Sequence, residues 1–401
     1  RSDVALSFGL ERVVIEDVVI SGRTMQRVAV AGVSLPADAG APDLPGFARF
    51  LALPEGASPR LEILSMETET VTGVNLIPAA ALPFENDDGP LEHTPDRSIY
   101  ESNSLYPKEP IRLSEVKEMR GVDVVVLGIT PFQYNPVKRE LTIIKSASVR
   151  VTFEGGTGRF GEDRLRSRHW EPILRSNLMN YDQLPGLELS VPSSRDTEYE
   201  YVIIVPDDST YIAWADSLRA FRTLQGIDTG VVTLSETGAE HFEIEAWIDT
   251  AYATWQTPPA AVLLLADCVE TGVTTGLTSR HYDYGYSCVS DNYYADVDDD
   301  HLPDIVLARM AVTPQTIETV VRKAIDYERY PSTNPGFYDN PVLACGWQDD
   351  RWFTLTSEVI YGFMAIELGK SPVREYGIYS GAPDTLWSTD VNTPLLVDYF
   401  G

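Results

Sequence analysis

Three cysteines in 401 residues are too few for a disulfide framework. Cys268, Cys288 and Cys345 are also too widely spaced to form the close pairs that bind metals or exchange disulfides. Basic residues are scarce: 31 stand against 60 acidic ones, for a formal charge of −29. A surface of that sign repels phosphate, which excludes nucleic acid and anionic membrane as partners. No apolar run approaches the roughly 20 residues that cross a bilayer, so no membrane span is expected. The first residues, Arg1-Ser-Asp-Val-Ala-Leu6, have no hydrophobic signal core, so any leader is expected to have been removed already. A glycine-rich phosphate loop is also missing, and Ser209 and Thr210 after a strand give only a weak hint of an anion-binding helix start.

What is present is enough apolar matter to fold. Hydrophobic residues make up 43% and aromatics 10%, so the acidity does not signal disorder, and the length predicts two or three cores. The first 157 residues read as β. Short β-branched or alternating runs occur at 13–20, 24–33, 60–70, 122–129, 141–144 and 147–153, punctuated by Gly, Pro and Asn, with no long amphipathic helix between them. Such strands bury an apolar face only against a second sheet, which predicts an all-β, sandwich-like domain over 1–157. Residues 158–198 read as a linker: Arg159, Arg164, Arg166, Arg168 and Arg175, followed by Leu184-Pro-Gly-Leu187 and a polar stretch through Asp196. The arginines suit a solvated helix or a tether along an acidic surface, and a processing site is the other reading.

From 199 to 401 the period switches. Tyr201-Val-Ile-Ile-Val205 is a buried-strand run, and Ser209 or Thr210 can cap a helix that Gly226 stops. Further strands are expected at 230–234, 261–266, 305–311, 342–345, 374–379 and 395–401, with helices at 242–255, from Thr313-Pro314 onward, and at 353–368. Strands alternating with helices make a mainly parallel sheet covered on both faces, so the whole is an α+β two-domain chain. Ligands collect beyond the carboxyl ends of such strands, which directs attention to Asp207, Asp267 and Cys345. Cys345 suits a nucleophile only with a histidine nearby, and as a small core residue it needs none.

Ser290 to Asp304 holds Asp291, Asp296, Asp298, Asp299, Asp300 and Asp304 within fifteen residues. Calcium takes six to eight hard oxygens, and like charges at this density repel unless neutralised. Calcium is therefore the expected cofactor, with Asp296, Asp298, Asp300 and Asp304 as ligands; Asp267, with Glu270 nearby, is either a second metal-ligand group or a strand-end hydrogen-bond acceptor, which spacing alone does not separate. The loop lacks the glycine and terminal glutamate of an EF-hand, and His301 is the only nearby nitrogen ligand for zinc. A solvated acidic loop with Asp304 ending a strand is the bland alternative. Acidity, abundant Tyr and Thr, and such a loop favour a secreted or cell-surface protein, although few cysteines would also suit the cytosol.

In order and spacing, Tyr201-Val-Ile-Ile-Val205, Trp214 to Gly226, Val262-Leu-Leu-Leu-Ala-Asp267, Ser290-Asp-Asn-Tyr-Tyr294, Leu307-Ala-Arg-Met310 and Ala324-Ile-Asp-Tyr-Glu328 resemble the catalytic domain of the gingipain family of cysteine peptidases. Pro131-Phe-Gln-Tyr-Asn-Pro136 and the two strands after it resemble that family's β-rich propeptide, so the resemblance covers nearly the whole chain. It implies a caspase-like fold, a protein or peptide substrate, a prodomain acting as intramolecular inhibitor, and a His-Cys dyad. Pro394 to Gly401 matches the strand that leads to the family's histidine, so both dyad residues are expected beyond Gly401 and none within the chain. The resemblance also implies calcium near Asp267 and in the loop from Val297 to Asp304. The family's acidic specificity residue falls near Thr354 in a loosely matching stretch, so arginine specificity is not implied. Asp349 and Asp350 could still face a basic substrate side chain. The rival expectation is a non-catalytic calcium-binding surface or adhesion protein on the same scaffold.

Overall fold

The computed structural model describes residues 3–10, 12–30, 37–80, 92–187, 198–270, 272–283, 287–345, 357 and 360–376. Its first half is built from β1 (Asp3–Gly9), β2 (Val14–Ile20), β3 (Arg23–Ala29), β4 (Phe47–Ala52), β5 (Ala57–Thr72), a single helical turn α1 (Arg97–Tyr100), β6 (Ile111–Leu113), β7 (Lys117–Met119), β8 (Val122–Ile129), β9 (Phe132–Asn135) and β10 (Glu140–Gly155). One antiparallel sheet runs β1-β10-β5 with β9 also on β10, and another runs β4-β8-β6 with β7 also on β8. Alternation along β10 buries Leu141, Ile143, Val149, Val151 and Phe153, and β8 buries Val125, Leu127 and Ile129. Val149, Val151 and Phe153 meet the β8 side chains in one core with Val4, Leu51, Leu53 and Ile111, whereas Leu141 and Ile143 join a second cluster with Leu76, Phe132 and Tyr134. The runs at 141–144 and 147–153 belong to a single strand, because a register shift between Ile144 and Ser146 restores the inward face across the interruption.

The arginine-rich segment carries structure. Helix α2 (Glu171–Asn177) packs Trp170, Leu174 and Leu178 onto Ala52, Met119, Val122 and Val124 of the β half. The Arg166 guanidinium forms a fork with Glu171, Nε to Oε1 at 2.5 Å and Nη2 to Oε2 at 2.8 Å, in a largely buried setting. Asn180 replaces a strand partner: its Oδ1 accepts the Ala52 N–H at 2.8 Å and its Nδ2 donates to the Ala52 carbonyl at 2.9 Å. Residues 158–187 are thus part of the β half, and the remainder of the expected linker, 188–197, lies outside the described residues.

In the second half, β11 (Tyr201–Val205), α3 (Ser209–Leu224), β12 (Thr229–Thr233), α4 (Leu234–Thr237), α5 (His241–Thr254), β13 (Ala261–Leu264), the antiparallel pair β14 (Arg280–Asp283) and β15 (Ser287–Ser290), β16 (Val306–Arg309) and α6 (Ile317–Arg329) follow in turn. The sheet order is β12-β11-β13-β16 with every pairing parallel. Residues 202–205 are fully buried, which is why they read as an unbroken apolar run. Asp208, one residue before the expected caps, caps α3 by accepting the Thr210 N–H at 2.7 Å. Helix α6 starts later than its Thr313-Pro314 signal, because Thr313 to Thr316 closes a turn first, Thr316 N to Thr313 O at 3.0 Å. A short helix α7 (Pro335–Asp339) precedes β17 (Val342–Cys345), which pairs in parallel with β18 (Val373–Tyr376). Of the expected helix at 353–368, residues 360–367 are helical, its last turn a π-helix over Phe363–Glu367, whereas 353–356 and 358–359, like the whole expected strand at 395–401, lie outside the described residues. Among the described residues no helix is long and apolar enough to cross a membrane.

Candidate functional site

The aspartate loop enters β16, which places it at the amino-terminal end of the parallel sheet. The Ala295 carbonyl receives the Asp304 N–H at 2.7 Å and closes the loop over residues 296–303. Inside it, Asp299 and His301 adopt left-handed backbone, φ 59° and 73°, a region that Asp and His tolerate better than most residues. Asp296 ties the turn by accepting the N–H groups of Asp300 and His301, both at 3.0 Å. One carboxylate oxygen each from Asp296, Asp298 and Asp304 lie within 4.8 Å of one another, with Asp296 and Asp304 buried. Burial, reinforced by the charges of Asp298 and Glu118 and opposed by hydrogen bonds, pushes Asp304 up to about 7, and burial followed by the charge of Asp300 raises Asp298. Three crowded, hard, partly desolvated oxygens are the donor set that a divalent cation such as calcium takes.

The other expected ligands are elsewhere. Asp300 turns outward: Oδ1 accepts the Leu302 N–H and Oδ2 the Glu118 N–H, each at 2.7 Å. Asp267 and Glu270 follow β13 at its carboxyl end, the opposite end of the sheet from Asp304, and Asp267 Oδ1 accepts the Cys268 N–H at 2.9 Å. Asp349, Asp350 and Thr354 lie outside the described residues. Cys268, Cys288 and Cys345 are free thiols, each half-buried.

Docking of the loop on the β half has no signal in local sequence. Lys117 Nζ donates to the Asp300 carbonyl. Arg120, 1% exposed, donates its N–H to Asp304 Oδ1 at 2.7 Å. Its guanidinium reaches the carbonyls of Pro259 at 2.6 Å, Leu165 at 2.9 Å, Asp304 at 3.2 Å and Pro258 at 3.3 Å. It also lies over the rings of Tyr252 and Trp170, 5.1 and 5.7 Å from their centroids. Trp170 Nε1 donates to the Ala260 carbonyl, and Arg164 Nη1 to those of Tyr252 and Trp255 at the end of α5. Residues 1–187 hold 20 basic and 26 acidic side chains, whereas 188–401 hold 11 and 34. The less acidic half therefore supplies the guanidiniums, and the more acidic half supplies carbonyls and carboxylates.

This two-part construction has a counterpart in known proteins. Residues 2–184 match the family model of the C25 propeptide, and residues 194–371 match that of peptidase family C25. The chain belongs to the gingipain family. It is 24% identical over 364 residues to Lys-gingipain of Porphyromonas gingivalis, covering 86% of this chain and 20% of that protein. With gingipain R1 of the same organism it shares 23% over 312 residues, covering 75% of this chain and 29% of that protein. The chain thus spans about a fifth of the Lys-gingipain it matches. Among solved structures, the complex of the RgpB pro- and mature domains of P. gingivalis gives a TM-score of 0.41 at 23% identity, covering 45% of this chain and 93% of that one. The latent zymogen of gingipain K gives 0.33 at 22%, covering 38% and 87%.

At the carboxyl end of the chain's parallel sheet the organising residue is Arg309. It forms a fork with Asp291, Nε to Oδ2 at 2.7 Å and Nη2 to Oδ1 at 2.8 Å. Its Nη1 reaches the carbonyls of Leu277 at 3.1 Å and Ala266 at 3.2 Å. Burial alone would raise Asp291, but the bonds from Arg309 and Ser279 outweigh it and hold the carboxyl below its ordinary value. Sequence spacing put Asp291 with the acidic loop, whereas the fold gives it to Arg309.

Asp249 on α5 is a second group that spacing did not single out. Burial, then the charges of Glu245 and Asp299, push it up to about 7. A carboxyl raised in the folded state contributes stability that is present below its unfolded value and is lost as pH rises through about 7. Asp249→Asn is therefore expected to gain on the parent as pH rises from about 4 to 8, its excess in melting temperature being smaller near pH 5 than at pH 8. Equal melting temperatures of the two proteins at both pH values would refute this.

Proposed function

We propose that the chain is the propeptide and first part of the catalytic unit of a secreted, calcium-stabilised, gingipain-like cysteine endopeptidase in its zymogen form. The observation that carries this reading is the tandem match of a C25 propeptide and a C25 peptidase to one chain. The parallel α/β sheet of the second half suits a caspase-like domain, and the paired antiparallel sheets of the first suit a sandwich-like prodomain that acts as intramolecular inhibitor or folding aid. A His-Cys dyad lying beyond Gly401 would hydrolyse protein or peptide substrates: the thiolate adds to the peptide carbonyl, the amine leaves with a proton from the histidine, and water then cleaves the thioester, releasing the carboxylic acid and restoring the cysteine. Asp349, Asp350 and Thr354 are proposed to line the substrate pocket. Replacing the family-position cysteine in the whole encoded protein is expected to abolish cleavage of a mixed peptide library. Unchanged cleavage would refute the mechanism, and an intact dyad with no cleavage would favour the non-catalytic surface protein.

Calcium is assigned to Asp296, Asp298 and Asp304, where it would neutralise the crowded carboxylates and fix the loop. A ligand at about a hundred times its dissociation constant stabilises by about 2.7 kcal/mol. Added calcium should therefore raise the melting temperature of the chelator-treated protein, and Asp298→Asn, at the exposed member of the triad, should remove most of that gain. An equal calcium-induced gain in D298N would exclude this site.

A further inference from the structure

We propose that the propeptide grips the catalytic half through the β7–β8 hairpin, with Arg120 as the anchor inserted into a socket of carbonyls at the amino-terminal ends of β13 and β16. The hairpin is a two-residue loop in which Arg120 and Gly121 both take positive φ, 51° and 74°. Loops of this kind favour Asn-Gly or Gly-Gly, so an arginine at the first position is held against its local preference. Inside the β half its side chain has one hydrogen-bond acceptor, Leu165; the other three carbonyls, Pro258, Pro259 and Asp304, belong to the catalytic half. The strained turn thus presents a guanidinium whose bonding is mostly to the partner half.

The socket is formed to receive a planar cation. Pro258 and Pro259 have no N–H of their own, so their carbonyls stand beside a backbone with fewer donors to satisfy them. The Tyr252 ring lies against the guanidinium, and the Asp304 carboxylate takes the hairpin's own N–H. Asp300 takes the next available hairpin amide, that of Glu118, and its carbonyl takes Lys117 Nζ. The loop and the hairpin therefore order each other. A released catalytic half would lose the Arg120 donors to Asp304 Oδ1 and to the two proline carbonyls, while Asp304 Oδ2 keeps the Val297 N–H. The inference rests on the propeptide being an intramolecular partner, and it needs no peptidase activity.

The test uses the full chain with a site-specific protease sequence inserted between residues 192 and 193, cut in the native state and followed by size-exclusion chromatography over a dilution series. The parent pieces are expected to co-elute at micromolar concentration. Arg120→Gly and Arg120→Asn suit the positive φ and keep the hairpin, so they should weaken association by at least about 100-fold, as expected for loss of a buried, hydrogen-bonded charge across an interface. Tyr134→Phe removes a buried hydroxyl from the β core, away from the interface, and should co-elute like the parent. Hydrogen exchange in the uncut chain should remain slow along β8 in both Arg120 variants but quicken at residues 300–304. Separation of the parent pieces on cutting, co-elution of the Arg120 variants equal to the parent, or release by Y134F as ready as by R120G would overturn the proposal. So would loss of β8 protection in both Arg120 variants, because Arg120 would then be a folding residue of the β half.

Discussion

Arg309→Met is expected to lower the stability of the α/β half by on the order of 3 kcal/mol, because it leaves a partly desolvated Asp291 carboxylate with the Ser279 hydroxyl but no cation and takes a donor from the Ala266 and Leu277 carbonyls. For a unit of about 200 residues that corresponds to a drop of roughly 6–12 °C in its melting transition. The physical content lies in the asymmetry. Breaking a buried pair from one side costs far more than replacing both partners by apolar groups, so Arg309→Met with Asp291→Leu should recover part of the loss. Thermal melts of the two single variants and the double variant measure the coupling. A double variant whose loss equals the sum of the single losses would show that the fork carries no coupling energy.

Asn180→Ala is expected to cost the β half about 2–4 kcal/mol. Asn180 is 5% exposed and serves both polar groups of Ala52, which is itself fully buried, so alanine leaves one N–H and one C=O without partners at about 1–3 kcal/mol each. Asn180→Asp should recover little, because a carboxylate keeps the bond to the Ala52 N–H but faces the carbonyl with a negative oxygen. Urea unfolding followed by a probe in the β half reports the change as a lower midpoint. A midpoint for N180A within error of the parent would mean that water replaces the side chain and that the segment around α2 is only loosely attached.

Strand-forming runs were legible where burial imposes a pattern. Residues 122–129 were read to the residue, and Tyr201 to Val205 as well, because a strand buried on one face alternates and a strand buried on both does not. Short strands such as β4, β6, β7 and β9 were not anticipated. At three to six residues they have too little length to show a period, and they exist because β8 and β10 offer edges to pair with. The segment at 158–187 was read as linker from its arginines and its polar tail. It is folded because Trp170, Leu174 and Leu178 find an apolar face on another element, a contact that local sequence does not encode.

The aspartate loop divides along the same line. Its composition alone marked it as a place where charge must be neutralised, and the choice of Asp296, Asp298 and Asp304 for a cation lay within the set read from spacing. Sequence could not tell that Asp300 would face the β half, that Asp267 and Glu270 would sit at the other end of the sheet, or that Arg120 would be buried between the halves. The sequence by itself determined the two-part construction, the change from period two to helix-strand alternation, the acidity and the family, since each is a property of neighbours along the chain or of residue order. Only the tertiary structure decided which carboxylates converge, which are taken by backbone amides, and which arginines become anchors, because those depend on distances of a few ångströms between residues up to about 190 positions apart.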